Sequence, residues 1–324
     1  MVAVTTPSKP SQQRRAFPVP IEASSPAHIG IVTVLYLSDG VLAGFFASLQ
    51  GEKRFETAFT LYVIDNSPTR SGLEAAQGLA LEHGIDAVFV FNDANLGVAK
   101  GNNQGVELAM RDGCSHVLLA NNDVEFRPGT INTLLSALVA GERVATPKIY
   151  YYGEDLLIWF AGGDIKPWTM LVPHFGTLTR DVGQYDGASH TPYAPTCFML
   201  LESSVFREIG LMDEAYFVYY DDADFVWRMN KRGLRIRYVP QSTVEHKVST
   251  STGGTFSPFS LYYTNRNRIY FIRKNLKGIQ RAFALTFVLT TRILRSARLP
   301  RPLAARLWVG VRDGLRMPLH SGHP

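Results

Sequence analysis

The chain has 324 residues, 46% of them hydrophobic and 19% charged, a balance that fits a soluble globular protein and excludes a disordered or fibrous one. Its two cysteines, Cys114 and Cys197, are too few for a disulfide framework or a cysteine-built zinc site, and a reducing, cytoplasmic setting is expected. The formal charge of +5 is uneven: from Arg273 onward there are eleven Lys and Arg against one acid, Asp313, so a neutral-to-acidic body carries a basic tail suited to an anionic surface.

Residues 1–27 are rich in Pro, Ser, Gln and Thr, lack the apolar core of a signal peptide, and are expected to be a disordered arm. From residue 28 the sequence alternates. "HIGIVTVLY", "FTLYVIDNS", "AVFVFN" and "HVLLANND" are near-continuous apolar strands. Between and after them "GVLAGFFASLQ", "SGLEAAQGLALEHG", "VAKGNNQGVELAMRDG" and "GTINTLLSALVAG" have helical spacing. Buried strands separated by amphipathic helices predict an α/β doubly wound, mostly parallel sheet, with ligands at the carboxyl ends of the strands. Those ends read Tyr36-Leu37-Ser38-Asp39, Asp65-Asn66-Ser67, Asn92-Asp93-Ala94-Asn95 and Asn121-Asn122-Asp123. Such residues cap helices. Four consecutive tips of this kind favour a shared ligand crevice.

The second half is mixed. Val144 to Gly187 holds short strands and turns, "APTCFMLLESSVFREIG" a strand running into a helix, "LRIRYVP" a strand, and "SPFSLYYTNRNRIYFIRKN" an aromatic, basic helix. The tail has arginines and apolar residues at helical spacing. It is read as one or two amphipathic helices that either lie on an anionic membrane or pack on the domain. Its longest apolar run, Phe283 to Thr291, is about half of what a membrane span needs.

Three places carry chemistry. Asp123, at a strand tip, can hold Mg2+ or Mn2+ that shares phosphate oxygens with a substrate. Asp221, Asp222 and Asp224 fall within four positions behind "YFVYY"; adjacent carboxylates repel, burial raises a carboxyl pKa, and a general base is the expected role. Helix capping accounts for one of the three, and Asp224 can pair with Arg228 four residues on. His246 is either a structural histidine or a second metal ligand. The glycines of "NLGVAKGNNQG", Asn95 to Gly105, allow close approach of an anion at a helix start. The loop Ser249 to Ser257 is a candidate lid.

In order and spacing these segments resemble the GT-A-fold, family 2 inverting glycosyltransferases, in particular the rhamnosyltransferases and galactofuranosyltransferases of bacterial cell-surface polysaccharides. The likeness runs from about Ile29 to Asn275. It is carried by "VTVLYLS", "VIDNSP", "NLGVAKGNNQG", "NNDV" in the place of a D-x-D variant, "IGLMDEAYFVYYDDADFVWRMNKRG" and "YYTNRNRIYFIRKN". The resemblance implies a Rossmann-like nucleotide half, a mixed acceptor half and C-terminal helices: an arm at 1–27, a GT-A domain at 28–275 and a basic helical tail at 276–324. It implies a donor site of Tyr36, Asp65, Asn66, Asn95, Gly97, Lys100, Asn103 and Asn122. Asp123 and His246 would hold the metal, Asp222 would be the base, and Asp221, Asp224 and Arg228 would stand beside it. The donor would be a nucleoside-diphosphate sugar, dTDP-rhamnose or a UDP-sugar. The acceptor would be a glycan or polyprenyl-diphosphate-linked glycan at the inner face of a membrane; nucleic acid is not an expected partner. Leu37, Thr196 and Lys100 depart from the family pattern. A nucleotidyltransferase and a non-catalytic binder of the same fold are the alternatives, and "LSDGVLAG" lacks the basic residue a triphosphate loop needs.

Overall fold

A computed structural model describes residues 27–55, 57–248 and 257–319. The expected N-terminal arm and most of the Ser249–Ser257 loop lie outside the described residues. In chain order the elements are β1 (His28–Leu35), α1 (Leu42–Glu52), β2 (Ala58–Asp65), α2 (Ser71–His83), β3 (Ala87–Phe91), α3 (Val98–Arg111), β4 (His116–Ala120), β5 (Val124–Phe126), α4 (Thr130–Val139), β6 (Val144–Tyr151), β7 (Ile158–Phe160), β8 (His190–Thr191), β9 (Phe198–Glu202), α5 (Ser203–Ile209), α6 (Asp221–Lys231), β10 (Ile236–His246), α7 (Pro258–Asn275), α8 (Gly278–Ser296) and α9 (Arg301–Arg316).

The sheet runs β3-β2-β1-β4-β9-β6-β10-β5. Its first four strands are parallel, as expected for strands buried on both faces: Ile29, Ile31, Val32 and Leu35 of β1 are fully buried, and so are Leu61, Val63 and Ile64 of β2. Beyond β4 the sheet becomes mixed. β9 runs antiparallel to both β4 and β6, and β5 runs antiparallel to β10. The sheet order reverses at β1 and β4, which opens a crevice above their carboxyl ends.

Two elements extend beyond what the sequence pattern predicts. The short strand β5 follows the Asn-Asn-Asp tip at once. β10 does not stop at Pro240 but continues to His246, with an irregularity between Val239 and Thr243 where it pairs with β6. Proline interrupts a ladder locally, and the chain absorbs this by a register shift.

The tail packs on the domain. α9 crosses α7 so closely that a Cβ on Gly310 would lie 2.4 Å from the Tyr262 carbonyl oxygen, and one on Gly314 2.4 Å from that of Arg266. Leu307 and Val311 complete the buried face, and Arg273 donates to the Gly314 and Met317 carbonyls at 2.8 Å each, closing the C-terminal end of α9. α8 buries Ala284, Val288 and Arg292 and leaves Ile279, Phe283, Ile293 and Leu294 exposed. No described helix is long and apolar enough to cross a membrane.

Candidate active site

The strand tips do not cap the helices that follow them. α1, α2, α3 and α4 all lack a side-chain cap at their first residue. The tip side chains instead hold the turns and one another. Asp65 Oδ1 accepts from the Ser67 N–H (2.8 Å) and Asn95 Oδ1 from the Gly97 N–H (3.1 Å). Asn66 donates to the Gly97 carbonyl (3.0 Å), and Asn122 to the Val34 carbonyl (2.7 Å) and Ser38 Oγ (3.2 Å). Asn92 and Gln104 exchange amide hydrogen bonds of 2.7 and 3.0 Å. These bonds fix one wall of a cleft of about 800 Å³.

Tyr36, Asn66, Asn95, Gly97, Asn122 and Asp123 line the cleft, and so do Asp221, Asp222 and His246. The cleft therefore brings together nine of the residues picked out from the sequence. The others stand back from it. Asp65 is fully buried, and its Oδ2 has no hydrogen-bond partner among the described residues; it faces the first turn of α2 near Gly72. Lys100 lies 3.5 Å from Glu214. Asn103 brackets Met212, donating to its carbonyl and accepting from its N–H, both at 2.9 Å, and so ties α3 to the segment ahead of the acidic helix.

Asp224 is wholly buried behind the cleft. It accepts from Arg228 (3.0 Å), Lys274 (2.9 Å), Asn275 (2.9 Å) and Tyr216 (3.1 Å). Lys274 also reaches Asp213 at 2.7 Å. This paired network joins α6 to α7, the arrangement in which a buried charge is tolerated.

The stretch from Phe217 to Tyr220 delivers the acids to the cleft in an unusual backbone conformation. Phe217, Tyr219 and Tyr220 all have φ between 64° and 67°, a region disfavoured for side-chain-bearing residues. Asn267, fully buried on α7, donates to the carbonyls of Tyr216 (2.8 Å), Val218 (2.6 Å) and Tyr219 (2.8 Å). Arg266 adds bonds to the Ala215 and Tyr216 carbonyls. On the other side the Val98 N–H donates to the Phe217 carbonyl (2.6 Å). Gly97, at φ +85°, lies so close to Phe217 that a Cβ would sit 2.6 Å from its carbonyl oxygen; only glycine fits.

Asp221 and Asp222 open α6. Burial pushes both carboxyl groups up from the usual carboxylate range, and for Asp221 the neighbouring Asp222 charge adds to it. Two contacts oppose the rise at Asp222: its Oδ1 accepts the Ala223 N–H (2.7 Å), and its Oδ2 accepts the Tyr193 hydroxyl. Tyr193, buried at 3% exposure, stacks on His174 with ring centroids 5.7 Å apart. Trp159 sets its edge against both His174 and His246, with centroids at 4.7 and 4.8 Å. An aromatic chain thus links Asp222 to His246. Tyr193, His174 and Trp159 all come from the irregular middle segment, Val144 to Ala194, where no periodic signal marked them.

Asp123 and His246 meet through the register of β5 on β10. His246 is paired with Val124, which sets its Nε2 3.1 Å from Asp123 Oδ1 although 123 residues separate them. Among the described residues no group of three His, Cys, Asp or Glu could hold a metal. The pair does fit a divalent ion whose other positions are taken by substrate oxygens and water: one carboxylate and one imidazole converge on the cleft, and the His246 Nδ1 has no partner among the described residues.

The assembly of a Rossmann-like half, a mixed half and one carboxylate-lined cleft at the sheet's switch point is that of the GT-A glycosyltransferases, and the solved structures agree. The Staphylococcus aureus TarS structure superposes with TM-score 0.57 at 13% identity over 90% of this chain, which spans 49% of TarS. The mannosyltransferase PcManGT from Pyrobaculum calidifontis, solved with GDP-Man and Mn2+, gives 0.54 at 12% identity over 93% of this chain and 84% of that one. No protein-family model matches the chain.

By sequence the chain is 27% identical over 251 residues to the N-acetylglucosaminyl-diphospho-decaprenol L-rhamnosyltransferase of Mycobacterium tuberculosis, covering 69% of this chain and 77% of that one. The protein is a glycosyltransferase, and within that class it resembles the family 2 rhamnosyltransferases. These likenesses are to sugar transferases.

Proposed function

We propose that the chain transfers a sugar, with inversion, from a nucleoside-diphosphate sugar to a hydroxyl of a glycan or polyprenyl-diphosphate-linked glycan. dTDP-rhamnose or a UDP-sugar is the proposed donor, since the relatives include a rhamnosyltransferase acting on a diphospho-decaprenol glycan. The observation that carries this reading is that one cleft holds both Asp222 and the Asp123–His246 pair.

Asp222 is the base. A carboxylate with a raised pKa takes a proton from a sugar hydroxyl more readily than an ordinary one, and the N–H of Ala223 and the hydroxyl of Tyr193 hold it in place. The deprotonated acceptor oxygen attacks the anomeric carbon from the face opposite the departing diphosphate, so the carbon inverts and no covalent enzyme intermediate forms. The amide-lined strand tips bind the nucleotide. Asp123 and His246 are the residues for Mg2+ or Mn2+, in keeping with the Mn2+ in PcManGT. When bound, such an ion supplies charge neutralisation on the leaving diphosphate. The exposed apolar side of α8 and the arginines of the tail are proposed to rest on an anionic membrane at the cytoplasmic face, as an appendage at 276–324 to the catalytic domain at 28–275.

The test is a thermal-shift titration with UDP, dTDP, GDP and CDP, each with and without Mn2+. A nucleotide at about 100 times its dissociation constant stabilises by about 2.7 kcal/mol. One or two nucleotides should do so in a metal-dependent manner, and absence of any shift would remove the donor-site reading.

A further inference from the structure

Behind the cleft lies a pair of charges that the proposed reaction does not use. Arg268 of α7 and Arg292 of α8 are 3% and 9% exposed. The Nε of each is buried without a hydrogen-bond partner among the described residues. Among the described residues Arg268 makes one hydrogen bond, from Nη2 to the Thr169 carbonyl (2.7 Å), and lies 5.8 Å from the Phe287 ring centroid, and Arg292 forms no ion pair with a described carboxylate. Burial draws both guanidinium groups down, Arg292 to about 10, and its neighbours Arg268 and Arg295 push the same way. At about 10, Arg292 stays charged at neutral pH. Two buried like charges without a counter-charge among the described residues are costly, whereas the nearby buried charges of Asp213, Asp224 and Lys274 are paired.

The position is informative. Tyr220, which lines the cleft, is near both arginines, and its hydroxyl is 3.5 Å from the Met170 carbonyl. Thr169 and Met170 are followed by Leu171 and Val172 of the cleft wall. On the outer side Trp168 meets Phe283 edge-on at 5.7 Å, both half-exposed, with Ile279 of α8 also bare. Two buried guanidinium groups with an apolar shoulder therefore stand behind the stretch of cleft wall formed by Leu171, Val172 and Tyr220.

We propose that Arg268 and Arg292 form a binding site for a lipid-borne phosphate or diphosphate, the head group of the acceptor, with its hydrocarbon chain leaving over Trp168 and Phe283. Planar guanidinium groups match phosphate oxygens with paired donors, and the anion supplies the charge that the fold omits. The inference rests on the transferase reading, whose acceptor it makes specific.

The experiment measures binding of farnesyl diphosphate, inorganic pyrophosphate and phosphatidylglycerol vesicles to the full chain, with the stabilising nucleotide held at saturation so that the donor site is closed to them. Arg268→Met, Arg292→Met and the charge-keeping Arg292→Lys are compared with the native protein. Loss of two charge-assisted hydrogen bonds should weaken farnesyl diphosphate binding by about tenfold or more in either Met variant, with partial recovery in Arg292→Lys. Nucleotide affinity should hold, and melting temperature should stay level or rise, because an uncompensated charge has been removed. Equal loss for pyrophosphate assigns the site to the diphosphate group itself; loss confined to vesicles assigns it to a phospholipid head group. Unchanged binding of all three probes in the Met variants overturns the proposal, as does a sharp fall in melting temperature in both, which would mark the arginines as structural. If no nucleotide stabilises the protein, the transferase reading fails first, and the probes are then read without it.

Discussion

Tyr193 donates its hydroxyl hydrogen to Asp222, the carboxylate that opens α6, from a position 29 residues earlier in the chain. A donor to the charged form of an acid lowers its pKa, while burial of Asp222 acts the other way and dominates. The Tyr193 hydroxyl thus offsets part of the rise that burial imposes on the Asp222 carboxyl.

Tyr193→Phe removes that donor and keeps the ring stacked on His174. The Asp222 pKa should rise further, and because the base works deprotonated, the acid limb of kcat/KM should move to higher pH. Hydrogen bonds to charged groups contribute about 1.5–3 kcal/mol, which corresponds to a shift of roughly one to two pH units. A rate profile across about pH 5–9 checks this; an unmoved limb would separate Tyr193 from the base. Asp222→Asn should abolish turnover while nucleotide binding persists.

Asp123→Ala and His246→Ala each leave one ligand where two stood. Nucleotide stabilisation in Mn2+ should fall toward the level measured with EDTA, and the loss should be larger for Asp123→Ala, since the carboxylate supplies the charge. Calorimetric titration with and without metal gives the answer. Equal, metal-independent affinity in all three proteins would show that the pair is a structural contact.

Asn267→Ala strips three carbonyls of their shared donor within a backbone already held at positive φ. The Tyr216 carbonyl keeps its bond from Arg266, so those of Val218 and Tyr219 are the ones that lose Asn267, at a cost of about 1–3 kcal/mol each, and relaxation of the Phe217–Tyr220 segment will recover part of it. Urea denaturation should show a loss of roughly 2–4 kcal/mol. Turnover should fall more than nucleotide affinity, because the segment that relaxes carries Asp222 and not the strand tips.

Acidification should weaken the fold through His174. Burial holds its imidazole down at about 4. In the unfolded chain the ring takes up a proton near its ordinary value of about 6.5. Between these two values the unfolded state binds more protons, so stability falls as pH falls, and the penalty is complete below about 4. The full contribution is on the order of 3 kcal/mol. The gap between urea midpoints measured near pH 7 and near pH 4.5 should be wider in the native protein than in His174→Gln, which loses this part of the pH dependence.

The strands of the nucleotide half, their helices and the amide-rich tips are all visible in the sequence because they are local. Each strand is a run of residues buried on both faces, and each tip sits where that run ends. Asp222 and Asp123 stood out for the same reason: an acid at the edge of an apolar segment lies where the core meets a surface that a ligand can reach. Lys100 and Asn103 share the motif of the α3 start, yet their side chains turn to Glu214 and Met212, because a helix start presents residues around its whole circumference and only packing selects a face.

What the sequence by itself determined is the layered α/β body, the crevice at its strand ends and the acids that border it. These follow from hydrophobic period and from where it breaks. Tertiary structure alone decided which distant residues meet. The β5–β10 register joins Asp123 to His246, the turns of the middle segment bring Tyr193 to Asp222, and the packing of α8 on α7 leaves Arg268 and Arg292 buried without a described carboxylate. Periodicity reports how deeply a residue is buried but not against what, and a partner 29 or 123 residues away leaves no trace in local pattern.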